Sequence, residues 1–217
     1  MQEKIELKKQ LIITIGRQYG SGGRTVGKLL AEKLHISYYD EEILRLASEA
    51  SAVGEEFFRE SDENLDNKNL LNIIAGKKFE MGKPETGKNL TTPDNLFKFQ
   101  SEVIKELATK ESFVIIGRCA NWILQSEHKN KVLRIFFYAD YDTRVKRIMD
   151  QEKIERSDAV DKIKRKDRKR EEYYYYFTRH EIVDLDNYDL MINTTTIGFP
   201  EILDIIQTFL KVRGFTN

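Results

Sequence analysis

One cysteine in 217 residues is too few for a disulfide scaffold or for a zinc cluster built on thiolates. No apolar run approaches the roughly 20 residues that a membrane span needs. Three prolines and 12 glycines leave few places for a flexible linker, and no repeat or low-complexity tract divides the chain. Net charge is missing too, because 36 Lys and Arg balance 36 Asp and Glu. Nucleic-acid binding through bulk positive charge is thereby disfavoured, although a local basic patch stays open. The opening residues, MQEKIELKKQ, lack the apolar middle of a signal peptide. The expectation is a cytoplasmic, globular, single-domain protein whose 40% of hydrophobic residues build one core.

What is present alternates. LIITIG at 11–16 is a short continuous apolar run of the kind buried in a parallel sheet. After a glycine-rich turn, Val26, Leu29, Leu30 and Leu34 share one face of a helix. Further strands are predicted at 36–40, 113–117, 132–139 and 189–193, with a helix at 41–50. Ile202, Ile205, Ile206, Phe209 and Leu210 form the stripe of a closing helix. Strands alternating with helices point to an α/β fold with a parallel sheet covered on both faces.

Two stretches depart from this pattern. Residues 40–66 hold ten acidic and two basic side chains, and 67–93 is polar. The region down to about residue 110 is too long for a loop and reads as a helical insertion. The second stretch, 143–180, is a charged helical segment with seven Lys or Arg and two Asp within 161–170. It is either a solvated helix or a functional one.

GRQYGSGGRT, Gly16 to Thr25, lies between a predicted strand and a predicted helix. In that context glycines let backbone amides converge on an anion at a helix N-terminus, so a phosphate-binding loop is one reading and a plain turn the other. Against the pattern G-x-x-x-x-G-K-[ST], Gly23, Arg24 and Thr25 take the last three places and Gln18 replaces the first glycine. GKPETGKN, Gly82 to Asn89, matches more letters, but no strand precedes it and Pro84 sits inside it. A phosphate cradle needs the strand behind and the helix ahead, so this match is set aside. His35, His128 and His180 share no ligand spacing, and Cys119 reads as a small buried residue. Tyr173 to Tyr176 cannot all share one helix face.

ITIGRQYGSGGRTVGKLLAEKL followed by YYDEE resembles the cytidylate kinase-like family of P-loop proteins. So do FVIIGRCANWIL, RIFFYADYDTRVKRI, KDRKREEYYYYFT and NYDLMINTT, in family order from about residue 11 to 210. The resemblance implies the P-loop nucleoside triphosphate hydrolase fold, with a five-stranded parallel sheet and helices on both faces. It also implies a helical acceptor-binding insertion at about 41–110 and a lid at about 143–180. Gly20, Ser21, Gly22, Gly23, Arg24 and Thr25 would then hold the β- and γ-phosphates of ATP, with Thr25 facing Mg2+. Asp40 would lie near the acceptor, and Arg118, in IGRC, would bind the acceptor phosphate. Arg144 and Arg147 would enter the lid and reach the nucleotide, while Asp167 and Arg170 would close over acceptor and phosphates.

The chain also departs from that family. Arg24 replaces the loop lysine, Ile116 and Cys119 stand where cytidylate kinases carry aspartates, and Tyr138 replaces another. The expectation is ATP-dependent phosphoryl transfer to a nucleoside monophosphate, CMP or a similar small phosphate acceptor. Arg24, Arg118, Asp167 and Arg170 are the candidates for catalysis. The alternative is a nucleotide-binding regulatory protein with little turnover. Either would be a monomer or homodimer, with neither nucleic acid nor membrane as partner.

Overall fold

Ile12 and Ile13 are both fully buried although they point to opposite faces of one strand. Only a sheet covered on both sides allows that. The computed structural model describes residues 6–40, 93–126 and 130–217. In it, β1 (Ile12–Arg17), β2 (Ser37–Tyr39), β3 (Phe113–Ile116), β4 (Val132–Tyr138) and β5 (Leu190–Asn193) form one sheet. The spatial order is β2-β3-β1-β4-β5, and every pairing is parallel. β1 lies at the centre, with Ile15 opposite Ile116 of β3 and Ile135 of β4.

Two cores follow from the period of two. On one face Ile13, Ile15, Val114, Ile116, Leu133 and Phe137 meet α1 (Gly23–Leu34) and the C-terminal helix, Phe199–Val212. On the other, Ile12, Phe113 and Ile115 meet α2 (Pro93–Lys110) and α3 (Ala120–Ile123). Each large apolar side chain so buried contributes about 1.5–3 kcal/mol. In the C-terminal helix the buried residues are Ile202, Leu203, Ile206 and Leu210, whereas Ile205, expected in the stripe, is 43% exposed. A 100° step per residue turns position 205 outward and brings 203 to the sheet.

The expected insertion over 41–110 reaches the described residues only at 93–110, and residues 41–92 lie outside them. There the chain is one helix, α2, which buries Phe99, Val103, Ile104 and Leu107 in the core. The charged stretch 143–180 is two helices, α4 (Tyr141–Glu152) and α5 (Arg156–Thr178), followed by the C-terminal helix, α6. Asp140 caps α4 by accepting a hydrogen bond from Thr143 N at 2.6 Å. At 23 residues α5 spans roughly 35 Å. Its first half packs on α4 through Ala159 and Ile163, and its second half reaches the core through Tyr174.

Candidate active site

β1 ends in Arg17, and the chain turns through residues 18–22 before α1 begins at Gly23. Gly20 and Gly22 take φ of +80° and +85°, where a residue with a Cβ would be strained by about 1–2 kcal/mol. A Cβ at Gly22 would also lie 2.6 Å from the Phe199 ring. α1 has no side-chain cap and no acid in its first turn, so its leading amides and positive dipole end are left for an anion. A cleft of about 550 Å³ opens there, walled among others by Gly20, Gly22, Gly23, Arg24, Thr25 and Asp40.

The loop is braced from behind. Gln18 N donates to Phe137 O at 3.0 Å, and the Gln18 side-chain oxygen accepts from Ala139 N at 3.2 Å. Ser21 is fully buried and its hydroxyl donates to Gln18 O at 2.9 Å, so this side chain faces the loop rather than the cleft. Arg147 donates to Ser21 O at 3.3 Å and to Thr194 O at 2.6 Å. Arg144 donates to Tyr19 O at 3.3 Å and to Asp167 at 2.5 Å. Asp167 also accepts from Tyr19 N at 2.7 Å. Thus Ser21, Arg144, Arg147 and Asp167, which sequence reasoning aimed at ligands, instead bond the loop backbone and one another. None of the four lines the cleft.

Tyr19 ties the same loop to both outer helices. Its hydroxyl donates to Glu152 at 2.6 Å, and Lys162 of α5 bonds that carboxylate as well. Burial, then the hydrogen bond to Glu152, pushes the Tyr19 phenol up to about 12, while Lys162 and Tyr19 hold the Glu152 carboxyl below its ordinary range. Arg24, the expected substitute for a loop lysine, lies 2.5 Å from Asp40 and is 67% exposed. The structure therefore brings these two candidates together as an ion pair.

A second cleft, of about 350 Å³, adjoins the first. β3 ends in a turn where Gly117, Arg118 and Cys119 all take positive φ, +73°, +56° and +55°. Left-handed backbone at two successive non-glycine residues is held by its surroundings and points to a functional turn. Gly117 N donates to Ile15 O and Ala120 N to Gly117 O. Arg118 so placed lines the cleft, its guanidinium 5.5 Å from the Tyr173 ring centre. Facing it are Lys166, Lys169, Arg170, Tyr173 and Tyr174 of α5, spaced as one helix face. Among the described residues of this wall there are five cations and no carboxylate.

Arg17, Lys166 and Arg170 line both clefts. Arg170 was foreseen; the other two were not. Lys166 could have been found from its spacing of four before Arg170, whereas nothing but its place after a buried strand singled out Arg17. Cys119 is buried, and burial pushes its thiol up to about 12, against the pull of Arg118. Tyr174 is the member of the tyrosine run that packs inside, while Tyr175 and Tyr176 are exposed. His35 and His180 lie on different elements, and His128 is outside the described residues. Among the described residues no three His, Cys, Asp or Glu side chains cluster as a metal cage.

A central strand that runs through a glycine loop into a helix, inside a parallel sheet of this order, defines the P-loop α/β class. The model of the cytidylate kinase-like family matches residues 12–196, and the chain belongs to that family. It is 26% identical over 195 residues to the cytidylate kinase of Sulfolobus acidocaldarius, covering 89% of this chain and 91% of that one. To the cytidylate kinase of Methanobrevibacter smithii it is 29% identical over 210 residues, covering 93% and 99%. A solved structure of an uncharacterized protein from Eubacterium ventriosum matches with a TM-score of 0.68 and 26% identity, over 93% of this chain and 99% of that one. A gluconokinase from Sinorhizobium meliloti matches at 0.52 and 13% identity, over 95% of each chain, a likeness of fold alone. No described helix is long and apolar enough to cross a membrane.

Proposed function

We propose that this protein transfers the γ-phosphoryl group of ATP to a small phosphate-bearing acceptor, a nucleoside monophosphate such as CMP. The observation that carries the reading is the pair of adjoining clefts at the carboxyl ends of β1 and β3, an amide-lined one and a cation-lined one, with three cations in common. The names of the curated relatives point the same way.

In the proposed reaction an anionic oxygen of the acceptor phosphate attacks the γ-phosphorus. The bond to the β–γ bridging oxygen breaks, and ADP leaves with the electron pair. No proton needs to move, so positioning and charge are what the protein supplies. The amides at the start of α1 hold the donor phosphates. Arg118 and Lys169 hold the acceptor phosphate, and Lys166 and Arg170 stand over the gap. Thr25, exposed on the first turn of α1, is the residue whose hydroxyl would hold Mg2+ beside the donor phosphates. When bound, Mg2+ neutralises charge on the donor phosphates. α4 and α5 act as the lid, with the loop as its seat.

A second reading, nucleotide binding with little turnover, draws on the Arg24–Asp40 pair, which offsets the charge of one loop cation. The experiment is acceptor-dependent ATP consumption, followed by a coupled assay with CMP, UMP, AMP, GMP and dCMP in turn. Turnover with at least one is expected. A protein silent with all five, yet stabilised against heat by ATP, would move the conclusion to the second reading.

A further inference from the structure

A phosphate-binding loop places a lysine where it reaches the β- and γ-phosphates, and that charge is a large part of its effect. Arg24 follows the two glycines at the helix start, but its guanidinium leans out to Asp40 at the end of β2. A second cation stands at the other end of the same loop. Arg17 closes β1, the central strand, and its side chain forms part of both clefts.

Two glycines make room for it. A Cβ at Gly117 would lie 2.3 Å from Arg17 Nη1, and a Cβ at Gly23 would lie 3.0 Å from Arg17 Cβ. The arginine thus runs from the phosphate loop, past the start of α1, to the turn that carries Arg118. Burial raises the phenols of Tyr38 on β2 and of Tyr188 in the second cleft, and the charge of Arg17, lying between them, opposes that rise at both. Arg170 Nη1 lies 3.5 Å from Arg17 O, so the backbone at this point is also held from α5.

We infer that Arg17 is the cation that spans the donor's terminal phosphate and the acceptor phosphate, taking the role of a loop lysine, while Arg24 orients Asp40. The inference rests on the phosphoryl-transfer reading above. Negative charge passes from the attacking acceptor oxygen to the β–γ bridging oxygen during transfer. A guanidinium that reaches both clefts can hold one oxygen on each side with its planar fork, which the single ammonium of a lysine cannot.

Two inorganic probes separate the outcomes without knowledge of the acceptor. Tripolyphosphate fits the donor cleft, whereas pentapolyphosphate is long enough to enter both. Titration calorimetry on the full chain should show Arg17→Ala weakening tripolyphosphate about 30-fold, the effect of removing one charge-assisted hydrogen bond on the donor side, and pentapolyphosphate about 1000-fold, the effect of removing one on each side. Arg24→Ala should change either affinity less than about threefold. Arg17→Gln, which keeps the bulk over Gly117, is judged on the same ratio if the alanine variant does not fold. Equal losses for the two probes, or losses at Arg24 matching those at Arg17, would overturn the assignment. A wild type that binds both probes while Arg17 variants bind equally well also overturns it and leaves the proposed function standing. A folded wild type that binds neither probe removes both.

Discussion

The Arg144–Asp167 pair offers a direct measure of whether Asp167 anchors the loop or takes part in chemistry. The two side chains are 9% and 17% exposed and lie 2.5 Å apart. Asp167 holds three partners at once: Arg144, Tyr19 N at 2.7 Å, and Arg170 at 3.8 Å. In Asp167→Asn the new amide oxygen can still accept from Tyr19 N, so the loss falls on the two arginines. A charge-assisted hydrogen bond is worth about 1.5–3 kcal/mol, and a nearly buried guanidinium left without its carboxylate adds to that. The expected destabilisation is about 3 kcal/mol, or roughly 6–12 °C in Tm for a chain of this size. Urea unfolding followed by circular dichroism measures it. Adding Arg144→Gln should recover part of the loss, because the stranded charge goes with it. ATP affinity should fall as the loop loosens, and turnover should fall in proportion to it. If Asp167→Asn is within about 1 kcal/mol of wild type and yet abolishes turnover with ATP binding intact, Asp167 acts on the reacting groups and the anchoring role is wrong.

Other variants probe other links. Arg118→Ala should weaken acceptor binding about 30- to 1000-fold while ATP affinity stays within about twofold, and equal losses for both ligands would make Arg118 structural. The thiol of Cys119, buried and pushed up to about 12, should resist a thiol reagent at pH 8 in the native protein and react fully in denaturant; fast labelling of the native protein would contradict its burial. Glu152 is held below the ordinary carboxylate range by Lys162 and Tyr19, so its contribution to stability is present above the unfolded value and is lost as pH falls through the folded one. The stability gap between wild type and Glu152→Gln should therefore be widest near pH 7 and close towards pH 3; a gap independent of pH would show that the Glu152 charge does not tie Tyr19 and Lys162 together. Gly22→Ala should cost about 1–2 kcal/mol in strain alone and more for displacing Phe199, measurable as a lowered urea midpoint.

Much of the fold was legible because its signals repeat. Five short apolar or aromatic runs, each bounded by a turn or a helix, identified the strands to within a residue or two, and the resemblance gave them their architecture. The helix stripe of α6 was read correctly at Ile202, Ile206, Phe209 and Leu210 but took Ile205 in place of Leu203, since the two are equally apolar and only the crossing of the helix over the sheet decides between them. Arg118 and Arg170 were found through motifs, and they line one cleft. Arg144 and Arg147 were assigned to the nucleotide through the resemblance, which puts them on the helix entering the lid. The sequence does not say whether such a fork meets phosphate oxygens or peptide carbonyls, and here it meets the carbonyls of Tyr19, Ser21 and Thr194. Arg17 lies within the GRQYGSGGRT stretch but one place ahead of the phosphate-loop pattern, so only its position after a buried strand marked it.

The adjacency of β1 and β3 works as a ruler. Ile15 and Ile116 are partners in register, so the phosphate loop and the Arg118 turn spring from neighbouring strands at the same height. Strands in a sheet are held about 4.8 Å apart by main-chain hydrogen bonds. The spacing between a donor bound over one loop and an acceptor bound over the other is then written into backbone that no helix movement stretches. In the proposed reaction a closing of α4 and α5 would exclude water and gather cations, but the gauge of the gap would be set before any ligand arrives. A slip of one residue between β1 and β3 would displace Arg118 by about 3.3 Å, several times what an in-line transfer tolerates. Selection on reach should therefore act on the pairing of these two strands as strongly as on the side chains above them.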